Sequence, residues 1–214
     1  MCVTSSPHAN AVRGPLNALF FTVFDGYINR LLASRKSKLF AGLPHAIVEL
    51  GAGVGANFRY LQPGTAVTAI EPNPHMHKGL RRTAGRFGID LRIVASGAEA
   101  IDLPDDSVDA VICTLVLCTV EHPEHVLSEV TRILRPGGRF MFLEHVAAPE
   151  GHWRRGLQDV LHRPWRFCFE GCNTNRETAG LIKAAGFREL DIEEYKMSGP
   201  FVPVNTQIAG GATA

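Results

Sequence analysis

The chain has 214 residues, 45% of them hydrophobic, and no shift in composition along its length, which is material for one substantial core in a single domain. Its 22 Lys and Arg stand against 21 Asp and Glu, a formal charge of +1, which excludes the global field that draws nucleic acid or an anionic membrane and points to a small-molecule partner. Five cysteines (Cys2, Cys113, Cys118, Cys168, Cys172) are odd in number, lack metal-knuckle spacing and follow no signal peptide, which predicts reduced thiols in a cytoplasmic protein with neither a disulfide nor a metal site.

The first predicted element is a helix over Leu16–Leu32, where Leu16, Leu19, Phe20, Val23, Phe24, Tyr27, Ile28, Leu31 and Leu32 form one apolar stripe. Its most apolar part, Leu16 to Phe24, is shorter than the roughly 20 residues of a membrane span, and Asp25 interrupts it. The basic end (Arg30, Arg35, Lys36, Lys38) suits the negative end of a helix dipole, with packing on its own domain favoured over weak peripheral contact with a lipid surface.

From Ala46 onward short apolar runs alternate with helical patterns, the signature of an α/β fold with a parallel sheet and covering helices. Strands are predicted at Ala46–Leu50, Ala66–Glu71, Leu91–Ala95, Val108–Leu115, Arg139–His145, Glu189–Glu194 and Val204–Ala209. Helices are predicted between them at Ala56–Leu61, His75–Phe87, Pro123–Leu134, His152–Leu161 and Asn175–Ala185. Pro123 suits a first helical turn, Pro136-Gly137-Gly138 stops that helix, and Thr174 with Glu177 has capping-box spacing. The Gly/Ala/Thr tail after Ile208 reads as a frayed terminus.

Glu49-Leu50-Gly51-Ala52-Gly53-Val54-Gly55-Ala56-Asn57 joins the first strand to the helix predicted after it through alternate glycines, a backbone on which a ligand can lie directly. Gly51, Gly53 and Ala56 also satisfy the dinucleotide fingerprint, so the loop alone leaves a nicotinamide oxidoreductase open. Glu71, at the end of the second strand, can accept hydrogen bonds from the hydroxyls of a ribose in either cofactor. Glu49 separates them: beside a pyrophosphate it adds unfavourable negative charge, whereas it suits the cationic methionine part of S-adenosylmethionine.

Glu49–Gly55, Glu71, Gly97–Glu99, Val108–Leu115 and Leu134–Gly138 resemble, in order, the motifs of class I S-adenosylmethionine-dependent methyltransferases. More closely, Gly55-Ala56-Asn57-Phe58, Glu71-Pro72-Asn73-Pro74, Cys113–Cys118, Leu143–Ala148 and Phe169–Asn173 resemble the methyltransferase-like alkyl thiol S-methyltransferases. The chain departs from them in having Glu71 where they usually have Asp, Ala52 where they have Cys, and no N-terminal hydrophobic anchor.

The resemblance implies a Rossmann-like, seven-stranded, mostly parallel sheet with helices on both faces and the last strand antiparallel. It implies a helical cap over the active site in residues 1–40 and a methyltransferase domain in residues 41–214, one structural domain overall, monomeric or homodimeric. Glu71 would hold the ribose and Ala98-Glu99 would flank the adenine. The full expected set around S-adenosylmethionine, with S-adenosylhomocysteine as product, is Glu49, Gly51, Ala52, Gly53, Gly55, Asn57, Glu71, Pro72, Ala98, Glu99, Cys113, Thr114 and Leu115.

Displacement at an activated methyl carbon asks the protein mainly for alignment and a dry pocket. A thiol acceptor, with a free pKa of about 8.5, needs little help from a base. A phenol or amine needs more, and histidine is the natural provider. Candidates at the carboxyl ends of the fourth and fifth strands are His145, first choice as base or acceptor-orienting group, with His122 and Glu144. Cys113 and Cys118 read as buried apolar fillers, and His75 and His77, two apart, as surface residues that cannot share a helical face. The aromatic stretch Trp153, Trp165, Phe167 and Phe169 offers a roof, with the N-terminal helix, for an apolar acceptor cavity. The expected reaction is S-methylation of a small apolar thiol; O-, N- or C-methylation of a phenol, quinone or lipid headgroup is the alternative.

Overall fold

A computed structural model describes residues 12–214, so Cys2 and the start of the expected 1–40 cap lie outside the described residues. The chain runs α1 (Arg13–Leu39), β1 (Ala46–Leu50), β2 (Ala66–Ile70), α2 (Pro74–Phe87), β3 (Asp90–Val94), β4 (Val108–Thr114), α3 (Pro123–Ile133), β5 (Leu134–His145), α4 (Trp153–Cys168), α5 (Thr178–Ala184), β6 (Glu189–Lys196) and β7 (Thr206–Thr213). The seven strands form one sheet in the order β3-β2-β1-β4-β5-β7-β6, with β7 antiparallel to both neighbours and the pairs from β3 to β5 parallel. This is the expected class I methyltransferase architecture.

Alternation along the strands feeds two cores, because successive side chains leave a strand on opposite faces. Val48, Leu50, Val111 and Cys113 join Phe140, Phe142 and residues of α3 and α5 in one cluster. Ile47, Ala110 and Ile112 join Val67, Ala69 and the α2 residues Leu80 and Ala84 in the other. Leu32 of α1 packs on Leu143 and Ala209, beside that second face. Glu49, between Val48 and Leu50, therefore points to the face that α1 and α2 cover.

Local signals position these elements. The Asn73 side chain accepts the His75 N–H at 3.0 Å, with Pro74 in the first turn of α2 and left-handed Gly88 ending it. Pro123 opens α3, which stops at Ile133. Leu134 pairs with Val108, and the regular ladder with β4 resumes at Arg139 after the Pro136-Gly137-Gly138 bulge.

Four expectations are corrected. The helix expected at Ala56–Leu61 is a single 3₁₀ turn, Phe58–Tyr60, because left-handed Gly55 before it and Pro63 after it leave room for no more. The fourth long helix does not end at Leu161 but continues through Pro164 to Cys168. The capping box does not form: Thr174 Oγ1 donates to the Gln158 carbonyl at 2.9 Å, Glu177 pairs with Arg155 at 2.6 Å, and α5 begins only at Thr178. Finally, the tail is no frayed end but β7, hydrogen-bonded on both sides between β5 and β6. Its glycines fit a crowded place: a Cβ on Gly210 would stand 1.9 Å from the Asp191 carbonyl oxygen.

Among the described residues no helix is long and apolar enough to cross a membrane. On the outer side of α1, Leu16, Leu19 and Val23 are exposed.

Candidate functional site

The carboxyl ends of β1, β2, β4 and β5 open into one cavity of about 260 Å³. Of the expected site residues, Glu49, Gly51, Ala52, Gly53, Asn57, Glu71, Pro72, Thr114, Leu115 and His145 line it.

The polar end is built on the glycine loop. Glu71 Oε2 accepts the Gly53 N–H and Oε1 accepts the Asn73 N–H, each at 2.8 Å. His77, expected at the surface, is half-buried and bonds the Glu71 carbonyl through Nε2 at 2.9 Å. Gly51 is obligatory, because a Cβ there would lie 2.4 Å from Val116 while its φ is +57°. Glu49 is buried with Oε1 accepting from Asn57 Nδ2 at 2.7 Å, and Asn57 Nδ2 also donates to Thr114 Oγ1 at 2.9 Å. Glu49 Oε2 and Asn57 Oδ1 have no hydrogen-bond partner among the described residues. Unmatched acceptors in a cavity suit a cationic, hydrogen-bond-donating ligand, and so fit the expected cofactor.

Sequence reasoning missed Lys36. Placed by α1 against this end, it is buried, its Nζ donating to Asn29 Oδ1 at 3.4 Å, and Asn29 Nδ2 donates to Asp25 Oδ1 at 2.6 Å. Burial pushes the Lys36 ammonium down to about 8, against the attraction of Glu49 and Asp25. Burial pushes the Glu49 carboxyl up to about 7, against the Asn57 hydrogen bond and Lys36. Burial also raises Glu71, offset by its bonds from Asn73 and Gly53. Glu170 is pushed up to about 7 by burial and then by Glu71. A buried lysine at a helix end looks in sequence like any solvated basic residue; its i, i+7 relation to Asn29 was the available signal.

The other end is apolar and soft. Phe20 of α1 meets Phe169 edge-on at 5.2 Å between ring centroids and Phe201 at 6.1 Å, and Trp165 stacks tilted on Phe169 at 4.4 Å. Of the expected roof, Trp165 and Phe169 line the cavity, whereas Trp153 and Phe167 are exposed. Leu115 lies at the floor with φ +59°, a left-handed conformation that a branched side chain rarely adopts. Beside it Cys118, His145 and Cys172 converge, with His145 Nε2 3.0 Å from Cys172 Sγ and the two sulfurs 3.8 Å apart. The neighbouring Cys118 thiol and the Trp165 indole N–H, which donates from 3.3 Å away, hold the Cys172 thiol below its ordinary range. Burial opposes protonation of His145, but Cys118 and Glu144 carry it above its usual value. Cys118 is buried, as expected, and also lines the cavity; its contact with Cys172 spans 54 positions, and each of the three residues lies in a separate one of the stretches that resemble the thiol S-methyltransferases.

Six expected residues lie elsewhere. Glu144 is fully buried and accepts the N–H groups of Val116 at 2.8 Å, Leu117 at 3.1 Å and Cys118 at 3.3 Å, so it shapes the loop after β4. Cys113 is 3.5 Å from the same carboxylate, inside the core. His122 is exposed at the entry to α3, 3.5 Å from Glu124. Gly55 sits against the Phe58 ring, Ala98 packs in the core, and Glu99 accepts the Glu121 N–H at 3.2 Å.

Comparison with known proteins matches residues 48–142 to the methyltransferase domain family. The human thiol S-methyltransferase TMT1A is 37% identical over 204 residues, covering 90% of this chain and 84% of that protein. The human thiol S-methyltransferase TMT1B is 39% identical over 195 residues, covering 86% of this chain and 80% of that protein. Among solved structures, a SAM-dependent methyltransferase from Aquifex aeolicus superposes with a TM-score of 0.56 at 15% identity, covering 82% of this chain and 85% of that one, a likeness of fold.

Proposed function

The chain belongs to the class I S-adenosylmethionine-dependent methyltransferases, in the branch of the thiol S-methyltransferases, and from that membership we propose that it methylates the sulfur of small apolar thiols. The observation that carries this reading is one cavity lined both by the carboxylates of Glu49 and Glu71 and by Phe20, Phe169, Phe201, Cys118, His145 and Cys172.

The bound cofactor supplies a methyl carbon already activated by its sulfonium. Glu71 holds the ribose side, with its carboxylate fixed by Gly53 and Asn73. Glu49 and Lys36 would hold the amino and carboxylate groups of the methionine part: burial raises the Glu49 carboxyl and lowers the Lys36 ammonium, and a zwitterionic partner would favour the charged form of each. Phe20, Phe169 and Phe201 exclude water and select apolar acceptors, while the described part of the 1–40 segment caps the cavity through α1. His145 orients the acceptor sulfur. Alignment in a dry pocket then serves an acceptor that is already a good nucleophile.

Incubation with methyl-labelled cofactor and a panel of thiols, phenols, amines and quinones tests the proposal. Thioether products from apolar thiols are expected; efficient methylation of phenols, amines or quinones with none from thiols rejects it. The exposed Leu16, Leu19 and Val23 of α1 support a second element, peripheral contact with lipid. Flotation with liposomes checks it, and substitution of all three by Ser should abolish co-flotation.

A further inference from the structure

We propose that Cys118, His145 and Cys172 bind a divalent cation of the zinc class, with the remaining coordination position open to the cavity. Their ligand atoms all lie within 4.8 Å of one another. A tetrahedral ion with Zn–S bonds of about 2.3 Å sets its sulfurs about 3.8 Å apart. The Cys118 and Cys172 sulfurs stand 3.8 Å apart. His145 Nε2, at 3.0 Å from Cys172 Sγ, needs only a small outward shift of the ring to complete the face. Two thiolates and an imidazole are a soft donor set that suits zinc over magnesium or calcium.

The three side chains are buried and held from outside. The Asn173 N–H and its Nδ2 donate to the Cys118 carbonyl at 2.8 and 3.0 Å, which ties the two cysteine loops together. Arg176 donates to the Leu117 and Val120 carbonyls on either side of Cys118, and the Trp165 indole donates to Cys172 Sγ. Backbone and indole thus fix two ligands from distant parts of the chain before any ion arrives, which is the arrangement of a pre-organised site. All three ligands also line the cavity, so three protein ligands and one open position give a catalytic rather than a closed structural centre.

This deepens the thiol reading and rests on it for the identity of the fourth ligand. The acceptor thiol binds the ion as thiolate, its proton passing to water. A sulfur electron pair forms the new S–CH₃ bond as the bond from that carbon to the sulfonium breaks, and the freed pair stays on the cofactor sulfur. The neutral thioether is a poorer ligand than the thiolate and leaves.

The test is a titration of the reduced, chelator-stripped full chain with Co²⁺ alone, without cofactor or acceptor. One equivalent should produce a thiolate-to-cobalt charge-transfer band and tetrahedral visible bands, both erased by Zn²⁺. Cys118→Ser and Cys172→Ser should lose the band, and Cys168→Ser, at an exposed cysteine, should keep it. Absence of the band in reduced wild type overturns the site, whatever the enzyme methylates. Addition of an apolar thiol to the cobalt form should intensify the band; an unchanged spectrum, or full thiol methylation by the stripped chain, overturns the catalytic role even if the ion binds.

Discussion

Glu71 Oε2 accepts the backbone N–H of Gly53 at 2.8 Å, so the carboxylate ending one strand fixes the glycine loop at the end of its neighbour. The second oxygen holds Asn73, and the whole group is buried. Hydrogen bonds to a charged group are worth about 1.5–3 kcal/mol each. Glu71→Ala should therefore weaken binding of S-adenosylhomocysteine about 10- to 100-fold by calorimetry, with Glu71→Gln intermediate. Unchanged affinity in the alanine variant removes Glu71 from the cofactor site.

Glu144 acts on the loop after β4. Removing its carboxylate orphans the buried N–H groups of Leu117 and Cys118 and the partly buried one of Val116. Glu144→Ala should lower unfolding free energy by about 3 kcal/mol or more in denaturant titrations. Glu144→Gln should recover part of that loss, and the pH profile of its residual turnover should keep the wild-type shape. A Gln variant of full stability whose pH profile loses a limb would instead make Glu144 an acid–base group.

The buried Glu49 and Lys36 impose a pH dependence on stability. Glu49 ordinarily ionises near 4.5 but in the fold only at about 7, so between those values the folded state binds more protons and stability falls as pH rises. Lys36 titrates at about 8 instead of 10.5, so between those values the unfolded state binds more protons and stability rises with pH. Unfolding free energies measured from pH 4.5 to 7 should decline in wild type by on the order of 3 kcal/mol beyond Glu49→Gln. Parallel curves would show that Glu49 keeps its ordinary pKa.

Two glycine substitutions should part company. Gly210→Ala puts a Cβ against the Asp191 carbonyl and the Phe142 ring in the middle of the sheet, and should cost roughly 3 kcal/mol or prevent soluble expression. Gly85→Ala, inside α2, meets nothing within 4 Å among the described residues and should stabilise by about 0.5–1 kcal/mol. Equal melting temperatures for the two variants would contradict the crowding at Gly210.

The sheet, the glycine loop and the two carboxylates that serve it were legible in the sequence. Each is written locally, in period-two apolar runs, in glycines where φ turns positive, and in acids placed directly at strand ends. It misjudged the last strand, because Gly210 and Gly211 have low strand propensity and are required only by what packs against them. It also named Glu144, beside His145 and His122, as a catalytic candidate, and a strand end reads the same whether its carboxylate turns toward a cavity or, as here, accepts from backbone amides. Packing alone brings Lys36 on α1 to Glu49 and sets Cys118, His145 and Cys172 together on the cavity wall. The physical reason is range: propensity and periodicity act over a few residues, whereas a buried charge or a soft-ligand cluster is defined by groups that chain connectivity leaves far apart and only packing brings together.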